Sequence, residues 1–322
     1  MNLFKIPGIC LELFELYKRL QYQKKWIARN LEPILGEFSP DGVLSIEHFK
    51  KIRQYALLTV VGVSEALAAL RGKLLSEQER FSQTILASVS ALFDVMYDEG
   101  LLPPADILTL TYYFQLATPK NQLEELFVRL LCLLNNNQPF SLREWKCIQQ
   151  IAEAQTEEKQ HFIISYDIAQ RAKKKCGNAI LLCAYYLETN WRPEVLSFLY
   201  DLGGVYQTMD DILDYYDDFH AQHLTLATIA DSFDDLEFIY YDEIEKTKSA
   251  LKKLPFSVEH KKRFWKTIRI MLATALVLLK KLRSHEKKHK MPLAKYLPRK
   301  KLICDMDKIA NVLQLILKSS AL

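Results

Sequence analysis

The chain has 322 residues, of which 49% are hydrophobic and only 9 are glycine, and its formal net charge is +4 at pH 7. This length is enough for a sizeable core in one large domain or two smaller ones, and the hydrophobic fraction is ordinary for a soluble globular protein. The scarcity of glycine argues against a fold with many short strands and favours long helices.

Helical periodicity of apolar residues continues along almost the entire chain. Capping boxes mark two helix starts, Ser76 with Glu79 and Ser141 with Glu144. Glycine marks a helix end at Glu99-Gly100 and an expected helix break at Gly177-Asn178. We predict helices over residues 10–35, 45–70, 76–97, 105–116, 121–134, from 141, and over 156–176, 178–187, 193–218, 233–254, 258–290 and 305–318.

Neither an internal repeat nor a convincing linker divides this series of helices. We therefore expect one all-α domain over residues 1–322, a single bundle of about ten to twelve helices. The six cysteines show no paired spacing, so we interpret them as buried apolar side chains in a reducing compartment. The N-terminus lacks the features of a signal peptide, and the longest apolar run, Ile270–Leu279, is too short for a bilayer. We expect a cytoplasmic protein with no transmembrane segment.

The charge is unevenly distributed. Residues 258–301 contain 15 Lys or Arg and 2 acidic residues, so the rest of the chain is net negative. Such a separation predicts an anionic ligand or surface near the basic segment. We expect no nucleic-acid partner, and we leave open a peripheral membrane contact through residues 258–301 and a homodimer.

One acid-rich stretch, Leu202–Asp218, is predicted as a single helix. At about 100° per residue, three of its aspartates share one face with a glycine, a tyrosine and a glutamine. That face consists of Gly203, Tyr206, Gln207, Asp210, Asp214 and Asp217. Carboxylates four residues apart repel by a few tenths of a kcal/mol, which a hard cation such as Mg²⁺ would relieve. The alternative is a solvated surface helix.

A second pair of acids, Asp94 and Asp98, ends the Ser76–Tyr97 helix. Acids at a helix C-terminus are unfavourable by about 0.3–1 kcal/mol each, and a divalent cation would compensate. The alternative is a frayed, exposed terminus. Two cations, Arg171 and Lys175, share a helix face just before Gly177, where they could hold a phosphate; the alternative is a solvated basic patch.

These motifs resemble those of the class I isoprenoid synthases, which include terpene synthases, trans-prenyl diphosphate synthases and squalene/phytoene synthases. The stretch from Gly203 to Asp214 matches the second motif of the elongating enzymes, G-x-x-x-Q-x-x-D-D-x-x-D. Lys175-Cys-Gly177 looks like their K-T-G element. Asp94-Val-Met-Tyr-Asp98 is similar to the D-x-x-x-D first motif of the squalene/phytoene and large terpene synthase branches.

The chain also departs from these families. Elongating enzymes begin the first motif with two adjacent aspartates, whereas Phe93 precedes Asp94 here. Their upstream G-G-K-x-x-R has only Arg71-Gly-Lys73 as a counterpart, which lacks the pattern. The N-D-x-x-S-x-x-x-E motif of microbial cyclases and the G-R of squalene/phytoene synthases are missing. The site for a second substrate therefore looks missing, whereas the site that ionises a diphosphate looks present.

The resemblance implies a helical bundle around a central apolar cavity, with a Mg²⁺ cluster, or Mn²⁺ in its place, as the cofactor. The implied catalytic residues are Asp94, Asp98, Asp210, Asp214 and Lys175. The implied metal ligands are Asp94, Asp98, Asp210, Asp211, Asp214 and Asp218. The implied diphosphate contacts are Arg171, Lys175 and Gln207. Candidates for the aromatic wall of the cavity are Phe93, Tyr97, Tyr112, Tyr113, Phe162, Tyr166 and Tyr206, most of which also suit an ordinary core.

From the resemblance we expect a terpene synthase that ionises an allylic prenyl diphosphate of fifteen to twenty carbons or longer. One alternative is a prenyl transferase, acting by chain elongation or head-to-head condensation. Another is a non-catalytic partner subunit that keeps the fold, and a third is a plain helical scaffold whose charged faces bind a protein or membrane. Magnesium-dependent release of pyrophosphate from farnesyl or geranylgeranyl diphosphate, tested with and without isopentenyl diphosphate, would separate these four hypotheses.

Overall fold

A computed structural model of the chain describes residues 6–158, 165–187 and 189–322. All regular elements in these residues are helical, which confirms the all-α prediction. The described residues form fifteen α-helices, more than the ten to twelve predicted, because four short helices of 4–6 residues were not predicted as separate elements; the other eleven have nine or more residues. None of the described helices combines the length and the apolar content needed to cross a bilayer.

The first helices follow the predicted capping signals. They are α1 (Ile6–Asn30), α2 (Glu32–Leu35), α3 (Ile46–Thr59), α4 (Glu65–Leu70), α5 (Glu77–Asp98), α6 (Pro104–Tyr112), α7 (Gln122–Asn137) and α8 (Leu142–Glu158). A π-helical turn, Val60–Ser64, joins α3 to α4. Ser76 caps α5 through the expected reciprocal bonds with Glu79, and Gly100 (φ +62°) ends it. Local capping chemistry therefore locates these helix boundaries.

The remaining helices are α9 (Ser165–Tyr185), α10 (Pro193–Leu213), α11 (Tyr215–His220), α12 (Phe233–Lys253), α13 (Val258–Glu286), α14 (Arg299–Leu302) and α15 (Ile309–Ala321). Pro193 begins α10, as predicted. Cys147 and Cys183 are buried as expected, whereas Cys10 is exposed.

The chain forms two compact units. The α10 unit comprises the described residues within 1–14, 153–181 and 191–322, and its core is built where α10, α12, α13 and α15 pack together. The α5 unit comprises residues 15–152 and the described residues within 182–190, and α5 packs against α3 and α7 in its interior. The expectation of a single domain over residues 1–322 remains a prediction.

Two predicted helix boundaries are wrong. The helix break at Gly177 does not occur, because α9 runs without interruption from Ser165 to Tyr185. The stretch Leu202–Asp218 is two helices rather than one, because Asp214 leaves helical geometry (φ −97°, ψ 8°) and α11 begins after it. Tyr215, next after this joint, is fully buried and contacts Phe233 edge-to-face at 5.1 Å between ring centroids, which fixes the direction of α11.

The reason for glycine at position 177 is a close helix crossing. A Cβ atom placed on Gly203 would lie 2.4 Å from the Cα of Gly177, and one on Gly177 would lie 2.7 Å from the Tyr200 ring. Side chains of any size would therefore force α9 and α10 apart at this point. The two glycines set the register between the helix with the basic residues and the helix with the acids.

We predict that Gly203→Ala destabilises the protein by about 2 kcal/mol or more, since the added methyl group meets backbone rather than a flexible side chain. Gly204→Ala is the matched control: its Cβ would meet only the Lys173 side chain, at 3.3 Å from Cγ. Alanine there should be neutral or stabilising by up to about 1 kcal/mol, because glycine is unfavourable within a helix. Urea denaturation midpoints measure both; equal midpoints for the two variants would contradict a close crossing.

Candidate functional site

The α10 unit presents the acid motif at the junction of α10 and α11. Asp210, Asp214 and Asp217 are exposed and Asp218 is partly exposed, so these acids face solvent as the helical wheel predicts. The backbone N–H groups of Asp214 and Asp218 still donate to the carbonyls four residues earlier, at 2.9 Å each. The joint at Asp214 therefore changes the direction of the chain without interrupting its hydrogen bonding.

Asp211 differs from its neighbours because it is only 3% exposed. One carboxylate oxygen accepts from Gln207 Nε2 at 2.9 Å, and the other accepts from the Leu226 backbone N–H at 3.2 Å. Burial is the main cause that raises the pKa of Asp211 to about 7; the hydrogen bond from Gln207 opposes it, and the carboxylates of Asp210 and Asp218 support it. This aspartate attaches the loop after α11 to α10.

The exposed acids lie close enough to affect one another. Asp214 is exposed on one side, but the crowded joint between α10 and α11 limits its hydration, and this loss of hydration is the main cause that raises its pKa to about 7; the carboxylates of Asp210, Asp218 and Asp217 add to the effect. Only Arg299 opposes it among the major influences; its guanidinium binds Asp217 through Nε at 2.8 Å and Nη2 at 2.7 Å. The result is a concentrated negative charge at Asp210, Asp214 and Asp218, which favours a bound cation.

Arg171, on α9, is buried at 6% exposure. Its Nη2 donates to the Leu224 carbonyl at 2.7 Å, two residues from the backbone N–H that Asp211 accepts. Its Nη1 is buried and has no hydrogen-bond partner among the described residues. A buried donor without a partner is unfavourable, because it has lost its hydrogen bonds to water. An anionic oxygen would accept a hydrogen bond from this Nη1 group.

The three lysines after Arg171 have different surroundings. Lys173 forms an ion pair with Asp201 at 2.6 Å, and Lys174 pairs with Glu153 at 2.9 Å and Glu157 at 3.2 Å. These two lysines are therefore partly exposed and paired with acids, and the choice between a phosphate site and a solvated basic patch at Arg171 and Lys175 stays open. Lys175 is partly buried, one turn after Arg171 on the uninterrupted helix.

In the α5 unit, α3 supplies partners for the other acid pair. Tyr55 Oη donates to Asp94 Oδ2 at 2.6 Å, and Lys51 Nζ lies 3.6 Å from Asp98 Oδ2. His48 Nε2 lies 3.0 Å from Glu99 Oε1, while its Nδ1 accepts from the Ser45 N–H. Because Nδ1 accepts, Nε2 carries the proton and donates to the glutamate.

These polar residues of α3 were not identified from the sequence. His48, Lys51 and Tyr55 follow helical spacing, so they share one face of α3 that runs antiparallel to the end of α5. In the sequence, only the helical spacing of these three residues could have indicated a shared role, and the same spacing is typical of a solvated helix face. The alternative of a frayed, exposed terminus agrees with the structure only in part: Asp98 is exposed, but α5 continues to Asp98 and is followed by a glycine turn at Gly100.

The aromatic residues suggested for the wall of a cavity differ in their burial. Phe162 lies outside the described residues, as does the side chain of Tyr166. Tyr113 is exposed, and Tyr112 packs against Trp145 with the rings tilted by 47° and their centroids 5.1 Å apart. Phe93, Tyr97 and Tyr206 are buried. The expectation that Asp94 and Asp98 face Asp210 and Asp214 across a cavity stays a prediction.

Within the described residues, no three His, Cys, Asp or Glu side chains are arranged to hold a metal ion by themselves. The donors that are present are carboxylates with one turn or less between them, the oxygen ligands that Mg²⁺ accepts alongside water and phosphate. The exposed acids of the α10 unit therefore fit a Mg²⁺ ion that shares its ligands with a bound phosphate.

We predict that Asp211→Asn alters the pH dependence of stability in the absence of metal. The pKa of Asp211 is about 7 in the folded protein and about 3.9 in an unfolded chain. The folded state therefore binds the proton more tightly. The stability that the Asp211 proton contributes is fully present below about pH 4 and is lost as the pH rises through about 7. As the pH rises from about 5 to about 8, the free energy of unfolding of the wild type should fall by about 2 kcal/mol more than that of Asp211→Asn. Urea titrations in EDTA measure this; parallel pH profiles would contradict it.

We predict that Tyr55→Phe lowers the free energy of unfolding by about 1–2 kcal/mol, because Asp94 loses a hydrogen bond to a partly buried carboxylate. Tyr22→Phe is the matched control: Tyr22 Oη also donates to a glutamate, Glu77 at 3.1 Å, but at an exposed position. Its removal should cost less than about 0.5 kcal/mol. Chemical denaturation compares the two, and equal losses would show that the Tyr55 bond has no special weight.

The chain matches no family model, and no curated protein is similar enough to it to count as a relative.

Proposed function

We propose that the protein is a Mg²⁺-dependent class I terpene synthase that ionises an allylic prenyl diphosphate and releases diphosphate. The observation that carries the proposal is one loop in the α10 unit. Asp211 of the acid motif binds its backbone at Leu226, and Arg171, which has an unused buried donor, binds it at Leu224. The loop thus connects an acid face suited to a metal with a cation suited to a phosphate.

The acids differ in the parts that we assign to them. Asp210, Asp214 and Asp218 would hold metal in the α10 unit, and Asp94 and Asp98 would do so in the α5 unit. Asp211 already accepts two hydrogen bonds, so we assign it to holding the loop rather than to the metal. Bound Mg²⁺ would supply Lewis-acid stabilisation of the charge that develops on the leaving diphosphate.

The basic residues would act on the same leaving group. Arg171 and Lys175 lie one turn apart on α9, and both would donate hydrogen bonds to diphosphate oxygens. Gln207 would orient the acids, since its amide donates to Asp211 and lies 3.4 Å from Asp210 Oδ2. Cleavage of the carbon–oxygen bond leaves an allylic carbocation, which buried aromatic side chains such as Tyr206 would shield from water.

One contact disfavours chain elongation. In elongating enzymes the G-G-K-x-x-R motif holds isopentenyl diphosphate, and its nearest counterpart in this chain begins at Arg71. This arginine already has a partner in the protein: its Nη2 binds Glu79 at 2.6 Å, and both side chains are buried. A guanidinium committed to a buried ion pair cannot leave it cheaply for a second diphosphate. Head-to-head condensation and a non-catalytic role remain alternatives, and the membrane contact and the homodimer remain predictions.

The test is pyrophosphate release from farnesyl and geranylgeranyl diphosphate, with and without Mg²⁺ and isopentenyl diphosphate. We expect release that needs Mg²⁺, does not need isopentenyl diphosphate and is accompanied by an extractable hydrocarbon or alcohol. Asp210→Ala should reduce it about a hundredfold or more, because a metal ligand is lost. Release only with isopentenyl diphosphate would indicate elongation.

Asp201→Ala is the control for that variant. It lies on the same helix, is exposed, and pairs with Lys173 outside the acid motif. Activity should stay close to wild type in this variant. Equal losses in both variants would mean that α10 is merely sensitive to substitution. No release from either substrate by the wild type, with the fold intact by circular dichroism, would support the non-catalytic alternative.

A further inference from the structure

A group of exposed lysines lies at the end of α13 and in the segment that follows it. This basic surface consists of Lys287, Lys288, Lys290, Lys295, Lys300 and Lys301. None of the six forms an ion pair with a described carboxylate, whereas four other lysines of α13 have a partner: Lys261, Lys266, Lys280 and Lys281. Six cations that are left to solvent within fifteen residues repel one another, and an external anion would relieve that repulsion.

The segment that carries these lysines is held firmly. Its apolar side chains Leu293, Ala294, Leu297 and Leu302 are buried, so the lysines between them point outward. The Ala294 N–H donates to Tyr215 Oη at 3.4 Å, and Lys281 Nζ donates to the Ile303 carbonyl at 2.9 Å. The basic surface is therefore part of the folded unit and not a loose tail.

The two ends of the basic surface lie close together. His285, in the last turn of α13, has its pKa lowered by burial and then by the charges of Lys281, His289, Lys301 and Lys288. The geometry agrees, because Lys281 Nζ on α13 lies 3.4 Å from the Lys300 carbonyl and 2.9 Å from the Ile303 carbonyl, which brings the end of the segment back against α13. The lysines thus form one patch rather than a line along the chain.

The arginines and the lysines of this region differ in their partners. The two arginines of this region are used inside the protein, Arg283 with Asp234 and Glu237, and Arg299 with Asp217. The cations that remain available are all lysines, which act as point charges and lack the planar fork that reads a base edge or a single phosphate. In their midst Tyr296 is 53% exposed, with Lys295 Nζ 5.8 Å from its ring centroid.

We propose that this basic surface binds the phosphate headgroups of an anionic lipid membrane, with Tyr296 at the membrane interface. Clustered lysines suit a diffuse layer of negative charge, and aromatic residues with a polar tip favour the headgroup region. A nucleic acid would offer phosphates too, but the described surface presents no unpaired arginine between its lysines to specify one. The inference does not depend on the proposed reaction.

The experiment is co-sedimentation of the full chain with vesicles, without substrate or Mg²⁺. Vesicles of phosphatidylcholine alone are compared with vesicles that also contain phosphatidylglycerol. We expect binding only to the anionic vesicles, and weaker binding as salt is added, because screening shortens the reach of the lysines. Inorganic phosphate at the same ionic strength should not compete better than chloride, which separates a membrane from a site for free phosphate.

The variant Lys288→Gln with Lys301→Gln removes two charges from the patch. We expect binding about 30-fold weaker, at about fivefold for each lysine. The matched control is Lys24→Gln with Lys25→Gln, two exposed lysines in the middle of α1, which should leave binding unchanged. Tyr296→Ala should weaken binding without changing its dependence on salt.

Three results would overturn the proposal. The first is sedimentation of the wild type equally with neutral and anionic vesicles, or with neither. The second is an equal loss of binding in both double variants. The third is tighter binding of a short DNA duplex than of the vesicles at equal salt. The third result would assign the surface to nucleic acid.

Discussion

The contact between Gly177 and Gly203 is the constraint on which the rest of the α10 unit depends. Because neither residue has a side chain, α9 and α10 approach until a Cβ on one would lie 2.4 Å from the backbone of the other. That approach places Lys173 against Gly204 and beside Asp201. It also fixes the basic face of α9 relative to the acid face of α10. A wider crossing would loosen both faces and the loop they share.

Within the acid motif, each aspartate has a different environment. Asp211 is buried and accepts two hydrogen bonds, and Asp217 is neutralised by Arg299. Asp210, Asp214 and Asp218 lie close together, so that desolvation and then the repulsion of the neighbouring carboxylates raise the pKa of Asp214, while His223 Nδ1 lies 3.6 Å from Asp218. A motif that looks uniform in sequence thus separates into acids that hold the structure and surface acids whose carboxylates repel one another. Only the second kind has a reason to bind a cation.

The acids at the end of α5 have partners on a neighbouring helix. Its acids end a helix, where the macrodipole makes negative charge unfavourable, and each has a partner from α3: a hydroxyl for Asp94, an ammonium for Asp98 and an imidazole for Glu99. The hydroxyl and the imidazole orient their carboxylates, whereas Lys51 brings a full positive charge to 3.6 Å from Asp98. A metal at this pair would compete with that lysine.

The sequence by itself determined the all-α class, most helix boundaries and the exposed acid face, because capping boxes and helical periodicity depend on residues within one or two turns. It predicted a helix break at Gly177 because glycine usually ends a helix, and only tertiary packing showed that the glycine serves a crossing. The joint at Asp214, the burial of Asp211 and the partners of Asp94 and Asp98 were likewise decided by tertiary structure. Each depends on residues distant in the chain, and no local pattern specifies which of them will meet.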